Sequence, residues 1–135
     1  MLRLRWVLVM CLACSPAAAA SKYYLFDAIK KPSYARALTN LLDHAGNLPD
    51  WIQETRKTKG DYVASPGAPA VINGSTYELF FACKPHDCND NQLVIMFAPN
   101  GIQSWGALLE EDKPISYLGA PSEAQQAAFK ENLQR

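Results

Sequence analysis

Gln92 to Ala98 reads Gln-Leu-Val-Ile-Met-Phe-Ala, with no polar side chain after its first residue. Successive residues of a strand point to opposite faces, so a sheet with one wet face shows alternating polar and apolar positions. This run shows no alternation. As a strand it is buried on both faces, and both faces then need a covering layer. The preceding run, Thr76 to Cys83, places Tyr77, Leu79, Phe81 and Cys83 on one face and Thr76, Glu78, Phe80 and Ala82 on the other. Between the two runs lies Cys83-Lys84-Pro85-His86-Asp87-Cys88. The pattern predicts an α+β chain: a central sheet covered by helices on each side (α/β/α), with a cysteine-bracketed loop protruding from it.

The remaining punctuation fits that frame. Pro32-Ser33 opens a helix in which Tyr34, Ala37, Leu38, Leu41, Leu42 and Ala45 recur at helical spacing, and Gly46 stops it. Pro49 suits the first turn of a second, short helix carrying Trp51 and Ile52. Ser21 to Asp27 is aromatic-rich and reads as a docking segment or a short strand. Asp61 to Ala64 is a short strand, and Ser65 to Pro69, with two prolines and a glycine, is a loop. Ala70 to Ile72, Asn73-Gly74 and the run from Ser75 form a hairpin, because Asn-Gly accepts the positive φ of a tight turn. The turn explains Asn73-Gly74-Ser75 more simply than glycosylation does. Pro99-Asn100-Gly101 leads into Ile102 to Leu109, and Glu111 to Pro114 leads into Ile115 to Leu118. These short connections favour an antiparallel meander of about five strands. Ser122 with Gln125 forms a capping box for a last helix whose apolar side holds Phe129 and Leu133.

The first twenty residues read as a secretory signal peptide. Arg3 and Arg5 form the basic start, Trp6 to Ala13 the short apolar stretch, and Ala18-Ala19-Ala20 the small-residue cleavage site before Ser21. A rival reading acylates Cys14 as a lipoprotein anchor. Residues 21–135 then form a single domain, long enough to bury one core. Loss of Arg3 and Arg5 leaves 11 basic against 13 acidic residues, a net charge of −2. Apart from Arg56-Lys57-Thr58-Lys59, read as a solvated helix end, there is no basic cluster of the kind nucleic-acid binding needs. No apolar stretch of residues 21–135 is long enough to span a membrane. A monomer or a homodimer is expected.

Cys11 and Cys14 leave with the signal. Cys83 and Cys88 remain as an even pair in an oxidising compartment, where a disulfide is the default. Closing so short a ring is worth about 2 kcal/mol in the chain-entropy picture. The staple therefore matters more for loop shape than for global stability. Pro85 removes further freedom. His86 admits four roles: an exposed loop histidine without a task, a metal ligand with Cys83, Asp87 and Cys88, part of a dithiol redox site, or the tip of a recognition loop. The spacing is cramped for tetrahedral zinc, and dithiol catalysts favour two intervening residues at a helix start. No metal or other cofactor is expected. Asp87 is expected to turn back and accept backbone N–H groups of the loop, and Lys84 to be solvated. His44, near a helix C-terminus, carries no assigned role, and Trp51 and Trp105 read as core.

The hexapeptide Cys83-Lys84-Pro85-His86-Asp87-Cys88 resembles the CKPHDC loop of the Ivy family, inhibitors of vertebrate lysozyme found in the periplasm of Gram-negative bacteria. The six-residue motif is specific. The similarity around it is one of element order: secretion signal, helices before the sheet, Asn-Gly hairpin and closing helix. The resemblance implies a periplasmic, non-enzymatic inhibitor that protects peptidoglycan. Its loop, residues 83 to 88, would enter the cleft of a C-type lysozyme, and His86 would hydrogen-bond the catalytic carboxyls. Lysozyme keeps one carboxyl protonated and one ionised, about 5 Å apart as in retaining glycosidases. An imidazole has two nitrogens directed away from each other and can both donate and accept, so it can satisfy both groups. The net charge would only weakly favour a basic lysozyme. Two alternatives stay open: a regulator of the cell's own lytic transglycosylases, or an envelope metal or thiol protein using the Cys-His loop.

Overall fold

The computed structural model describes residues 23–133. The signal-peptide reading of residues 1–20, with Cys11 and Cys14, lies outside the described residues.

Three helices precede the sheet: α1 (Leu25–Ala28), α2 (Pro32–Asp43) and α3 (Asp50–Glu54). Six strands follow: β1 (Val63–Ala64), β2 (Ala68–Ile72), β3 (Ser75–Cys83), β4 (Gln92–Phe97), β5 (Ser104–Leu109) and β6 (Ser116–Leu118). Helix α4 (Glu123–Asn132) closes the chain. All strand pairs are antiparallel, in the order β1-β3-β4-β5-β6, and β2 pairs with the same edge of β3 as β1 does. The sheet thus has six strands where the sequence suggests about five.

The two apolar runs behave as their patterns require. Every residue of β4 is buried. Leu93, Ile95 and Phe97 pack with Phe80 and Ala82 beneath α1, α2 and α3. Val94 and Met96 face the other way, with Leu79, Ala107, Leu109, Phe129 and Leu133 beneath α4. The sheet is therefore covered on both faces.

The helix caps also follow the sequence. α2 starts at Pro32 and gives way at His44 to Gly46, which takes a φ of +77°. The Ser122 hydroxyl accepts the Gln125 N–H at 3.2 Å, and the Gln125 side chain accepts the Ser122 N–H at 2.8 Å. Asn73 and Gly74 have φ of 50° and 80°, as a two-residue hairpin turn demands.

Three expectations are corrected. Residues 25–28 form a helix, not a strand: Leu25 and Ala28 are completely buried, and the Asp27 carboxylate accepts the Tyr24 N–H at 3.3 Å. Pro49 is the N-cap of α3 and not its first helical residue. Pro69 lies within a strand, paired with Glu78. It is tolerated because β2 has a neighbour on one side only, and an edge strand can do without one N–H. Between β1 and β2, Gly67 donates to the Tyr23 carbonyl at 2.7 Å, and a Cβ there would stand 2.6 Å from the Phe80 ring.

Candidate functional site

The loop that joins β3 to β4 leaves the sheet at its end. Cys83 pairs with Gln92, and the ladder runs one step further through Lys84 N–H to the Asn91 carbonyl at 3.1 Å. The chain then turns sharply. Asp87 N–H donates to the Lys84 carbonyl at 3.1 Å, closing a four-residue turn. Pro85 takes the second position and His86 the third, with a φ of 62°. This is the pattern of a type II turn, which wants proline second and a positive φ third. Histidine is among the few non-glycine residues enriched in that left-handed region.

Cys83 and Cys88 are joined by a disulfide across a Cα separation of 5.0 Å. Cys83 is 1% exposed and anchors the bridge in the sheet. His86 is exposed at the apex, and among the described residues its ring nitrogens have no hydrogen-bond partner. Lys84 is exposed, and Pro85, Asp87 and Cys88 are half-buried. With both sulfurs in the bridge, neither is a thiolate ligand or nucleophile. Among the described residues no group of three or more His, Cys, Asp or Glu side chains is placed to hold a metal ion.

Asp87 does turn back, as expected, but to side chains and not to backbone N–H groups. Its carboxylate accepts the Asn91 side-chain amide at 2.7 Å and lies 3.5 Å from Lys84 Nζ. The Asp87 carbonyl accepts the Asn91 N–H at 3.1 Å, so residues 87–91 make one helical turn before β4 begins. Lys84 is solvated but leans on Asp87. Asp90 and the β5–β6 turn, with Glu110, Glu111, Asp112 and Lys113, line an open depression beside the loop; Lys113 pairs with Glu110 at 3.2 Å, and the other three carboxylates leave the lining acidic on balance.

Sequence reasoning missed Asn91 and Gln92. Gln92 is 1% exposed, and its amide donates to the Cys88 carbonyl at 2.8 Å and reaches the Asn89 carbonyl at 3.4 Å. The signal was available: it is the one polar residue opening an otherwise apolar strand. The residues set aside have partners of their own. His44 caps α2, with Nδ1 donating to the Asn40 carbonyl at 2.7 Å. Trp51 is core, and Trp105 packs partly buried against the α4 side. In the basic patch, Arg56 pairs with Asp43 and Lys57 with Glu54.

Comparison with known proteins places the chain among lysozyme inhibitors by sequence. A protein named inhibitor of vertebrate lysozyme, from Pseudomonas aeruginosa, is 26% identical over 109 residues, covering 80% of this chain and 68% of that protein. The protein of the same name from Escherichia coli K12 is 25% identical over 108 residues, 80% of this chain and 65% of its own length. An uncharacterised protein of Yersinia pestis is 25% identical over 132 residues, covering 89% of this chain and 82% of its own. The sequence profile of one family, described as inhibitor of vertebrate lysozyme, matches residues 33–134, which takes in α2 after its first residue, the whole sheet, the disulfide loop and α4. The chain belongs to the Ivy family, whose members are inhibitor proteins and not enzymes.

Proposed function

We propose that this protein inhibits C-type lysozyme by placing the loop from Cys83 to Cys88 in the enzyme's active-site cleft. His86 hydrogen-bonds the two catalytic carboxyls there. The observation that carries this reading is the state of His86: exposed, without a side-chain partner among the described residues, and held at the apex of a disulfide-closed turn at a φ of 62°. A glycine would meet that backbone demand at lower cost, and a histidine adds an imidazole at the point of the loop. Neutral imidazole donates through one nitrogen and accepts through the other, which matches one protonated and one ionised carboxyl. The disulfide, Pro85 and the Asp87–Asn91 pair fix the loop before contact, so little ordering entropy is lost on binding. Asp87 is engaged within the loop, which keeps its carboxylate from opposing the enzyme's.

The same reading places the protein in the periplasm. The basic, apolar and small-residue segments of residues 1–20 and a disulfide that requires an oxidising compartment support this.

Kinetics distinguish occlusion of the cleft from binding elsewhere. Purified protein is added to a C-type lysozyme acting on cell walls, with and without a chitin oligosaccharide that fills the cleft. Occlusion predicts mutually exclusive binding, the apparent affinity of the inhibitor falling in proportion to oligosaccharide occupancy. A ternary complex of enzyme, oligosaccharide and inhibitor would refute it.

A further inference from the structure

Resting on the loop reading just given, the geometry points to Gln92 as a positioning residue that holds the inhibitory loop in its binding conformation. Gln92 opens β4, whose other five residues are apolar and completely buried. In the sheet it stands between Cys83 of β3 and Leu109 of β5. Strand alternation puts it on the same face as Val94 and Met96, a position that suits an apolar residue. A glutamine 1% exposed at such a place demands a reason, because buried amides are costly unless bonded.

The loop supplies that reason. Residues 87–91 make a single helical turn, closed by the Asn91 N–H on the Asp87 carbonyl. In a continuing helix the next donor, the N–H of residue 92, would serve the Cys88 carbonyl. The chain instead becomes a strand at 92 and its backbone joins the sheet ladder. A helical turn that ends leaves its last carbonyls without donors. The Gln92 side chain replaces the missing donor, with Nε2 at 2.8 Å from the Cys88 carbonyl and 3.4 Å from that of Asn89. The disulfide ties Cys88 to Cys83, and Gln92 ties the same residue to the sheet through an independent bond. His86 therefore sits on a segment fixed at both ends, and Gln92 acts on the enzyme only through it.

The test replaces Gln92 by a side chain of similar shape without a donor. Gln92→Met should keep the fold, judged by near-ultraviolet circular dichroism and melting, and weaken lysozyme inhibition about tenfold, the loss of one to two net hydrogen bonds. A merely structural residue would not couple to the loop tip. In a His86→Ala background, Gln92→Met should weaken the residual affinity less than about twofold, the non-additivity of residues in one network. Full inhibition by Gln92→Met, or an effect simply added to that of His86→Ala, overturns the inference. If Gln92→Met does not fold, Gln92→Glu decides. The protonated carboxyl keeps an O–H donor and the ionised one has none. Its affinity relative to the parent should match in mild acid and fall as the introduced carboxyl ionises, and an unchanged ratio across that range overturns the inference. His86→Ala alone inhibiting as the parent does would remove the loop reading, and this inference with it. A large His86→Ala effect beside a silent Gln92→Met removes the inference alone.

Discussion

Tyr62 packs beside the core under α1–α3, and its hydroxyl is buried with no hydrogen-bond partner among the described residues. Burial, followed by the charge of Asp27, pushes its phenol from 10.0 up to about 12. Tyr34 is raised as well, by burial first and then by its hydrogen bond to Glu78. A phenol raised in the folded state holds its proton more tightly there. Its contribution to stability is full below pH 10 and is lost as pH climbs through the folded value. Tyr62→Phe should therefore be neutral or slightly stabilising at pH 7, since it removes an unpaired buried hydroxyl. Between pH 10 and about 12 the variant should lose stability less steeply than the parent, because Tyr62 titrates across that interval in the parent. Urea titrations across that range check it, and parallel curves would contradict the assignment. The residue scale also explains the loop apex: a turn with proline second needs a positive φ third, and His86 meets that need while presenting a ring.

The elements differ in how far local sequence decides them. The long helices and the hairpin were legible because their signals are local. α2 repeats its buried residues at helical spacing, α4 carries a capping box, and Asn73-Gly74 can make only a few turns. β4 was legible because a two-sided apolar run needs two covers. What was hidden is non-local. Four residues cannot form a helix on propensity, so α1 exists because Leu25 and Ala28 are driven into the core. Pro69 looks like a strand breaker until β2 is known to lie at an edge. Of the loop, the hexapeptide and its disulfide could be read directly, but the Asp87–Asn91 and Gln92–Cys88 bonds depend on where the chain turns after Cys88. Replacing both Cys83 and Cys88 by alanine should cost about 2 kcal/mol of stability, the entropy of one short ring. The remaining turn bonds keep the loop partly shaped, so inhibition should weaken without vanishing. Thermal melts and inhibition assays on the double variant check this; an unfolded protein, or one that inhibits unchanged, would contradict it.

At the scale of the whole molecule, the sheet acts as a rigid base. β3 and β4 are held between helices on both faces, and they deliver the loop at the end of the most buried part of the structure. Few of the loop's own contacts are needed to keep its stem in place, which leaves His86 free to face outward. In the proposed mode of inhibition this one side chain provides most of the specific hold on the enzyme. The direct measurement is the inhibition constant of His86→Ala against a C-type lysozyme, taken beside the parent with both melting curves recorded. Unchanged melting and inhibition weaker by about 100-fold, the loss typical of a central interface residue, is the predicted result. Equal inhibition by the two proteins would contradict it.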